Sequence, residues 1–324
     1  MSPRYRVLIT DRAWPDTSVE QRVLSTVDAV VIEPAGTDES ALIAAAADVD
    51  AIATNWANVT DAVLRAATKC RIVARLGIGV DNIAIPTATE RGIPVTNVPD
   101  YCVAEVADHA LGLLLACARR IGFFHQRTKR GEYNLQAATP MRRLSTQTLG
   151  LFGLGHIGRA VATRAQALGL TVIAHTASGF DHGTGCRMVS FEDLLSDTDF
   201  LSLHAPLTDS TRRVFDAAAF SRMKPTAYLI NTSRGGLIDE AALWQALQED
   251  RLAGAALDVF DPEPPDLSQP LFQDERVIVT PHAAFVSEES LAQMRTQAME
   301  EIAAVLSNRR PRNVINPQVY APAS

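Results

Sequence analysis

Short apolar runs alternate with helical patterns along the first third of the chain. The runs are typical of buried strands. Between them, apolar residues recur at helical spacing behind capping residues such as Thr37 and Asp38. Alternation of strand and helix predicts a parallel, doubly wound sheet. The predicted strands are 7–10, 30–33, 51–54, 72–75 and 95–96, and the predicted helices are 18–26, 39–47, 61–67 and 87–91.

A long Ala- and Leu-rich helical pattern follows at 103–121 and is apolar almost all round, which predicts a buried helix that crosses between two domains. Residues 122–147 are more polar and are predicted to form a loop with a short helix. The alternation then resumes and ends in another long helical pattern, 287–306, which we expect to return the chain to the first domain. The later strands are predicted at 171–174, 200–204, 227–231, 254–259 and 277–280, and the helices at 191–195, 216–222 and 240–250.

The fold class predicted from this pattern is α/β, with two doubly wound parallel-sheet domains. A chain of 324 residues is long enough for two cores. We expect a Rossmann-type nucleotide domain, 103–287, inserted into a flavodoxin-like substrate domain that is discontinuous, 1–102 and 288–324.

A glycine-rich turn with the spacing G-x-G-x-x-G follows the apolar run 149–152 and precedes a helical pattern. The first glycine permits the turn, the second lets the backbone approach a pyrophosphate, and the third lets the helix pack on the strand. Free N–H groups at the helix start, supported by the helix dipole, then face the phosphates. The turn therefore predicts dinucleotide binding by Gly153, Gly155, His156, Ile157 and Gly158.

Composition and charge exclude several classes of protein. A formal net charge of −7 argues against a nucleic-acid partner, because phosphate binding needs clustered Lys and Arg. The four cysteines have no metal-site spacing, so we predict reduced, buried thiols and no metal. No signal peptide and no stretch long enough to span a bilayer is present, which predicts a soluble, cytoplasmic protein without a membrane partner.

Three chemically active side chains follow three successive predicted strands: Arg234, Glu263 and His282. In a doubly wound sheet these strand ends converge on the crevice that holds the cofactor. Histidine, with an ordinary pKa of about 6.5, suits acid/base work on a carbonyl or hydroxyl oxygen. A glutamate partner orients the ring and favours its protonated form. An arginine fork binds the carboxylate and carbonyl of a 2-keto acid. The set predicts hydride transfer between a nicotinamide and a 2-hydroxy or 2-keto acid.

Five motifs in one order resemble the D-isomer-specific 2-hydroxyacid dehydrogenase family: 153–158, 204–208, 231–236, 256–260 followed by Glu263, and 281–284. The resemblance implies an enzyme that uses NAD or NADP. It implies substrate binding by Arg234, acid/base catalysis by His282 and a partner carboxylate from Glu263. It further implies that Asp258 contacts the nicotinamide amide, and that the cofactor is lined by Thr232, Ala205, Pro206 and Ala284.

The loop 75–82 resembles the family's substrate loop, in which the backbone N–H groups of Ile78 and Gly79 would hold the substrate carboxylate. A glycine-bearing turn of this kind forms an anion nest, although a plain strand-to-helix turn would have the same sequence. Trp56 and Tyr101 are expected to face the same cleft. Arg75 either adds positive charge for a phosphate-bearing or dicarboxylate substrate or lies on the surface.

Two segments, 97–108 and 285–289, most resemble the subgroup of C-terminal binding proteins and related phosphoglycerate dehydrogenase-like enzymes. Because some members of that subgroup are NAD-binding transcriptional corepressors, an interaction protein is the competing interpretation. The resemblance also implies a homodimer, with helix 103–121 in the interface. The substrate stays open among glyoxylate, hydroxypyruvate, phosphoglycerate, larger 2-keto acids and a phosphonate- or phosphite-like oxoanion.

The cofactor's phosphate preference depends on the end of the strand 171–174. NAD-preferring relatives usually carry an aspartate there for the ribose 2′-OH, whereas this chain has Thr176 after His175. No nearby carboxylate would repel a 2′-phosphate, and no nearby arginine would bind one. Asp181 is the next acidic residue, on a loop that could fold it back. We therefore expect dual or NADP-leaning cofactor use.

Overall fold

The computed structural model describes residues 3–138 and 140–321, and its contacts divide the chain into two compact units. The first unit comprises Met1–Tyr101 and Ser287–Ser324, and the second comprises Cys102–Val286. These boundaries lie one residue from those expected from the sequence. In the part before residue 97 the strands are β1 Tyr5–Ile9, β2 Ala29–Ile32, β3 Ala51–Thr54, β4 Val73–Arg75 and β5 Val95–Thr96, and the helices are α1 Ser18–Leu24, α2 Glu39–Ala46, α3 Asp61–Ala66 and α4 Ile85–Glu90.

The rest of the chain adds seven strands and eight helices to the described residues. The strands are β6 Thr148–Phe152, β7 Thr171–His175, β8 Arg187–Met188, β9 Phe200–Leu203, β10 Tyr228–Asn231, β11 Gly254–Leu257 and β12 Val277–Val279. The helices are α5 Val103–Ala118, α6 Ile121–Lys129, α7 His156–Ala167, α8 Phe191–Asp197, α9 Ala217–Arg222, α10 Glu240–Gln248, α11 Pro270–Gln273 and α12 Glu288–Leu306.

Both sheets are parallel. The first unit has the strand order β2-β1-β3-β4-β5, which is the flavodoxin-like order. The second has the order β12-β11-β10-β9-β6-β7-β8, in which six strands follow the Rossmann order and β12 extends the edge. The predicted fold class is confirmed.

Period-two alternation along the strands of the second unit separates its two cores. On β9 and β10, Leu201 and Leu229 pack on one face, and Phe200 and Ile230 on the other. The first face is covered by α8, α9 and α10, and the second by α5 and α7. A parallel sheet buried on both faces needs continuous apolar runs, which is why these strands are readable in the sequence.

A buried ion pair joins the two chain segments that make up the first unit. Glu20 on α1 is completely buried and accepts two hydrogen bonds of 2.7 Å from Arg295 on α12. The guanidinium also lies 5.2 Å from the centre of the Trp14 ring. Helix α12 therefore packs on α1, within the unit to which the sequence pattern was expected to return the chain.

The structure differs from the sequence expectation in several details, among them the four-residue helix α11, which was not predicted. The predicted helix 103–121 ends at Ala118, because Arg120 adopts a left-handed φ of 51° and a separate helix, α6, begins at Ile121. The short edge strand β8 was not predicted, since two residues carry no periodicity. Among the described residues, no helix is both long and apolar enough to cross a membrane.

Candidate active site

Arg234, Glu263 and His282 follow β10, β11 and β12, which are neighbours in the sheet. Parallel strands bring their carboxyl ends to one edge, so three positions far apart in sequence meet there. The structure therefore brings the three predicted catalytic side chains together within the second unit.

The best-defined contact of this group joins His282 and Glu263. His282 Nδ1 lies 2.8 Å from Glu263 Oε2, while Glu263 Oε1 accepts the backbone N–H of Phe260 at 2.9 Å. Burial alone would raise the pKa of Glu263, but the hydrogen bond and charge of His282, the Phe260 amide and the charge of Arg234 together lower it. Because an ionised carboxylate only accepts hydrogen bonds, Nδ1 carries a proton and Nε2 is the atom left for chemistry.

Arg234 lies at the start of a tight turn. Its Nη1 donates to Ser233 O at 2.7 Å, and its own carbonyl accepts from Asn231 Nδ2 at 2.8 Å. The next residue, Gly235, lies so close to the backbone of Phe260 that a Cβ there would overlap it. The glycine thus lets the Arg234 turn approach the segment that carries Glu263, which agrees with the effect of the Arg234 charge on the Glu263 pKa.

Asp258 has a structural task that the sequence did not indicate. Its side chain is completely buried, and its two oxygens accept the backbone N–H groups of Ala283 and Ala284, each at 2.9 Å, and the Thr280 hydroxyl at 2.5 Å. The carboxylate therefore holds the turn that contains His282. A contact of Asp258 with nicotinamide stays a prediction.

The glycine turn fits a pyrophosphate. A Cβ on Gly153, which has φ of 100°, would lie 2.7 Å from Ala205 N, and one on Gly158 would overlap Gly153 O. A Cβ on Gly155 would meet no atom within 4 Å, so open space lies in front of that backbone. Gly155 is the residue that precedes α7, and no side chain caps the start of this helix.

The expected cofactor-lining residues lie beside this turn. Thr232 Oγ1 is buried and has no hydrogen-bond partner among the described residues, so a polar atom of a ligand could satisfy it. Ala205 accepts Ser233 Oγ on its carbonyl, at 2.7 Å, and the Pro206 carbonyl accepts Thr211 Oγ1 at 2.7 Å. Ala284 is buried, and its backbone N–H donates to Asp258.

The segment after β7 forms its own turns. Thr176 Oγ1 accepts the Gly179 N–H at 3.0 Å and lies 3.3 Å from Ser178 Oγ. The carboxylate of Asp181 accepts the N–H groups of Gly183 and Gly185, each at 3.2 Å. Asp181 is thus engaged within its own loop and is not folded back to replace the missing aspartate. The two hydroxyls at 176 and 178 are the polar side-chain groups at this strand end.

In the first unit, the turn after β4 carries the two backbone amides that were expected to hold the substrate carboxylate. Gly77 has a positive φ of 148°, Ile78 O accepts Asn97 Nδ2 at 2.7 Å, and Gly77 O accepts the Val98 N–H at 3.0 Å. Within residues 3–138 and 140–321, no protein acceptor is found for the N–H groups of Ile78 and Gly79. These amides are therefore available to a carboxylate.

Arg75 is half-buried at the turn that follows β4. Its Nη1 donates to the carbonyls of Thr54 and Leu76 and, at 3.4 Å, to Asn55 Oδ1. These bonds hold one end of the guanidinium in the turn, and a contribution of its charge to substrate binding stays a prediction.

The loop at Trp56 is held by a residue that the sequence did not single out. Asp11 accepts the backbone N–H groups of Asn55, Trp56 and Ala57 at 2.8–3.1 Å. The Trp56 side chain is 44% exposed, whereas Tyr101 is buried. A fixed backbone with an exposed indole suits contact with a ligand.

No cluster of His, Cys, Asp and Glu able to hold a metal ion is found in the described part of the chain.

The chain is similar to known proteins over nearly its whole length. Residues 111–284 match the family model described as "D-isomer specific 2-hydroxyacid dehydrogenase, NAD binding domain". The glyoxylate reductase of Korarchaeum cryptofilum is 40% identical over 280 residues, which are 84% of this chain and 84% of that protein.

Two solved structures show the same fold. The NADPH-dependent glyoxylate/hydroxypyruvate reductase of Sinorhizobium meliloti, in complex with NADP and malonate, has a TM-score of 0.85 at 32% identity and covers 99% of each chain. The D-lactate dehydrogenase of Aquifex aeolicus, with NAD and lactic acid, has a TM-score of 0.88 at 25% identity and covers 98% of this chain and 100% of the other.

Proposed function

The chain belongs to the D-isomer-specific 2-hydroxyacid dehydrogenase family, and on that premise we propose that it reduces a small 2-keto acid to the D-2-hydroxy acid with a nicotinamide dinucleotide. The observation that carries the proposal is the 2.8 Å pair of His282 and Glu263, with Arg234 on the adjacent strand end. The family also includes NAD-binding corepressors, but the acid/base pair has no task in a purely interacting protein.

The bound dinucleotide would supply the hydride for the keto carbon. His282 donates the proton from Nε2 to the substrate oxygen, because Nδ1 is held by Glu263. Glu263 stabilises the imidazolium and keeps the ring in orientation through its second bond, to the Phe260 amide. Arg234 binds the carboxylate and polarises the carbonyl of the keto acid. In the oxidative direction the same Nε2, unprotonated, accepts the hydroxyl proton.

The residues that would hold the dinucleotide fit it. The open space at Gly155 and the uncapped amides of α7 suit the pyrophosphate, and the unpartnered Thr232 hydroxyl adds a buried polar contact. Asp258, Ala205, Pro206 and Ala284 complete the proposed lining.

For the cofactor preference, the proposal is dual or NADP-leaning use. It is supported by Thr176 and Ser178 at the end of β7 and by the internal engagement of Asp181, which leaves no carboxylate directed at a 2′-phosphate. Structural relatives include proteins in complex with NADP and with NAD. The ratio of kcat/KM with NADPH and NADH tests this, and a hundredfold preference for NADH would contradict it.

We assign dinucleotide binding to the second unit and a share in substrate binding to the first. The free amides of Ile78 and Gly79 support carboxylate binding, and we assign Trp56, which is exposed, and Tyr101 to the substrate's side group. The relatives that act on glyoxylate and hydroxypyruvate support a small substrate of this kind.

A homodimer is part of the proposal. The segment that follows α5 exposes three large apolar side chains, Ile121, Tyr133 and Leu135, at 55%, 90% and 79%. Exposed apolar side chains that form a contiguous patch mark a protein interaction site. Sedimentation of the purified chain tests this, and a monomer at all concentrations would contradict it.

The deciding experiment is a panel of 2-keto acids with NADH and NADPH, assayed beside Arg234→Gln and His282→Ala. We expect turnover of at least one small keto acid, and a loss of about a hundredfold or more in kcat for each variant. Arg212→Gln, an exposed arginine whose ion pair with Asp261 is 3.6 Å long, is the matched control and should keep full activity. Binding of NADH without turnover of any keto acid would favour the corepressor-like alternative.

A further inference from the structure

A second histidine of the dinucleotide-binding unit contacts the strand end that precedes His282. His109, on α5, has Nε2 at 3.1 Å from Thr280 Oγ1 and 3.6 Å from Asp258 Oδ1. Thr280 Oγ1 in turn lies 2.5 Å from Asp258 Oδ1. His109 is 171 positions from Thr280 in the chain, so this contact exists only in the folded unit.

The directions of these hydrogen bonds follow from counting donors. The Asp258 carboxylate accepts from Ala283 N and Ala284 N, so its bond with Thr280 must use the single hydroxyl proton of Thr280. The Thr280 oxygen can then only accept from His109, which places a proton on His109 Nε2. That proton is present in both the neutral and the charged imidazole, because the charge change occurs at Nδ1.

This chain of bonds ends at the backbone on both sides of His282. Thr280 lies two residues before it, and the amides clamped by Asp258 are those of the two residues after it. His282 itself has a left-handed φ of 53°. A non-glycine residue holds such a conformation only where its surroundings determine it strongly. The clamp on Ala283 and Ala284 provides that determination.

We propose that His109 is a positioning residue: it holds Thr280 and Asp258 in place and thereby fixes the turn that aims the His282 imidazole. The proposal rests on the function proposed above only in treating His282 as the acid/base. Without the His109 proton donor, Thr280 Oγ1 loses one of the two hydrogen bonds that fix its position, and its bond to the buried Asp258 carboxylate is weakened.

The test compares His109→Leu, which removes the donor, with His109→Gln, whose side-chain amide can place an N–H near the position of Nε2. Thr280→Val removes the hydroxyl at nearly constant volume and tests the same link if His109→Leu does not fold. The matched control is His125→Leu, at an exposed histidine on α6.

The first readout is amide hydrogen exchange at Ala283 and Ala284 in the protein without cofactor. We expect exchange about tenfold faster in His109→Leu and Thr280→Val, and wild-type rates in His109→Gln and His125→Leu. Unchanged exchange at these two amides in His109→Leu and Thr280→Val would overturn the proposal. This readout is independent of whether the chain reduces a keto acid.

The second readout is steady-state kinetics on the best keto acid. Because misplacement of a catalytic group by an ångström can cost up to about a hundredfold, we expect kcat to fall about tenfold in His109→Leu with the keto-acid KM within twofold, and His109→Gln to restore it. The His109→Leu/Thr280→Val double variant should be no worse than either single variant. Additive losses, or a raised KM with unchanged kcat, would contradict a positioning role. Absence of turnover in the wild type would instead refute the proposed function, and the exchange rates would still decide the role of His109.

Discussion

Replacing Glu263 by glutamine removes one negative charge beside His282 while keeping the size of the side chain. The amide oxygen can still accept the Phe260 N–H, so the loop after β11 should keep its conformation. What is lost is the charge-assisted hydrogen bond at 2.8 Å to His282 Nδ1. The variant therefore tests the contribution of the carboxylate to proton donation.

The size of the effect follows from the exposure of the pair. A hydrogen bond to a charged group contributes about 1.5–3 kcal/mol. The two side chains are 27% and 31% exposed, so solvent screening favours the lower end, about 1.5 kcal/mol. At about 1.4 kcal/mol per factor of ten, we expect reductive kcat/KM to fall about tenfold in Glu263→Gln.

The pH dependence has a definite sign. The contacts of Glu263 lower its pKa from the ordinary value of 4.5, so the carboxylate is ionised and stabilises the imidazolium throughout an assay from about pH 6 to 9. Because Glu263 is ionised throughout that range, the ratio of wild-type to Glu263→Gln reductive kcat/KM should stay constant from about pH 6 to 9. The contact's contribution to stability is present above pH 4.5 and is lost as the pH falls through the lowered pKa.

The assay is keto-acid reduction followed by nicotinamide absorbance across that pH range. Glu240→Gln is the matched control, because Glu240 accepts the Asp261 N–H at 3.3 Å on the same loop. It should keep wild-type rates across that pH range. The reasoning is refuted if Glu263→Gln keeps more than half of the wild-type kcat/KM, or if Glu240→Gln loses as much.

Two further predictions concern the cofactor turn and the first unit. Gly155→Ala should have a free energy of unfolding within about 0.5 kcal/mol of the wild-type value, because its Cβ meets no atom within 4 Å. The same variant should bind NADH at least tenfold more weakly, as measured by calorimetry. Gly153→Ala should instead lose about 2 kcal/mol or more of stability, from its φ of 100° and the 2.7 Å approach to backbone, and equal stabilities would contradict this. Glu20→Gln should lower the free energy of unfolding, measured in urea, by about 3 kcal/mol. The reason is that the Arg295 side chain, which is only 11% exposed, would keep its charge without a charged partner. Arg187→Gln, in an exposed ion pair, should cost less than about 1 kcal/mol, and similar costs for both would refute the argument.

Much of the fold and of the site could be predicted from local sequence. Buried parallel strands need continuous apolar runs, and the helices between them show apolar residues at helical spacing. The alternation of these two patterns therefore predicted both sheets. Polar residues placed directly after those runs must lie at the carboxyl edge, whatever the details of packing. That is why Arg234, Glu263 and His282 could be recognised together, and why the position of the glycine turn followed from its flanking strand and helix.

The tertiary structure alone decided which partner each polar group has. The oxygens of Asp258 hold the turn around His282, a task that the sequence did not indicate. Arg75 donates to the carbonyls of Thr54 and Leu76, partners that the sequence pattern did not reveal. His109 reaches Thr280 across 171 positions of the chain. Local periodicity encodes burial and secondary structure, whereas these hydrogen bonds depend on which surfaces meet after packing, and no local pattern records that choice.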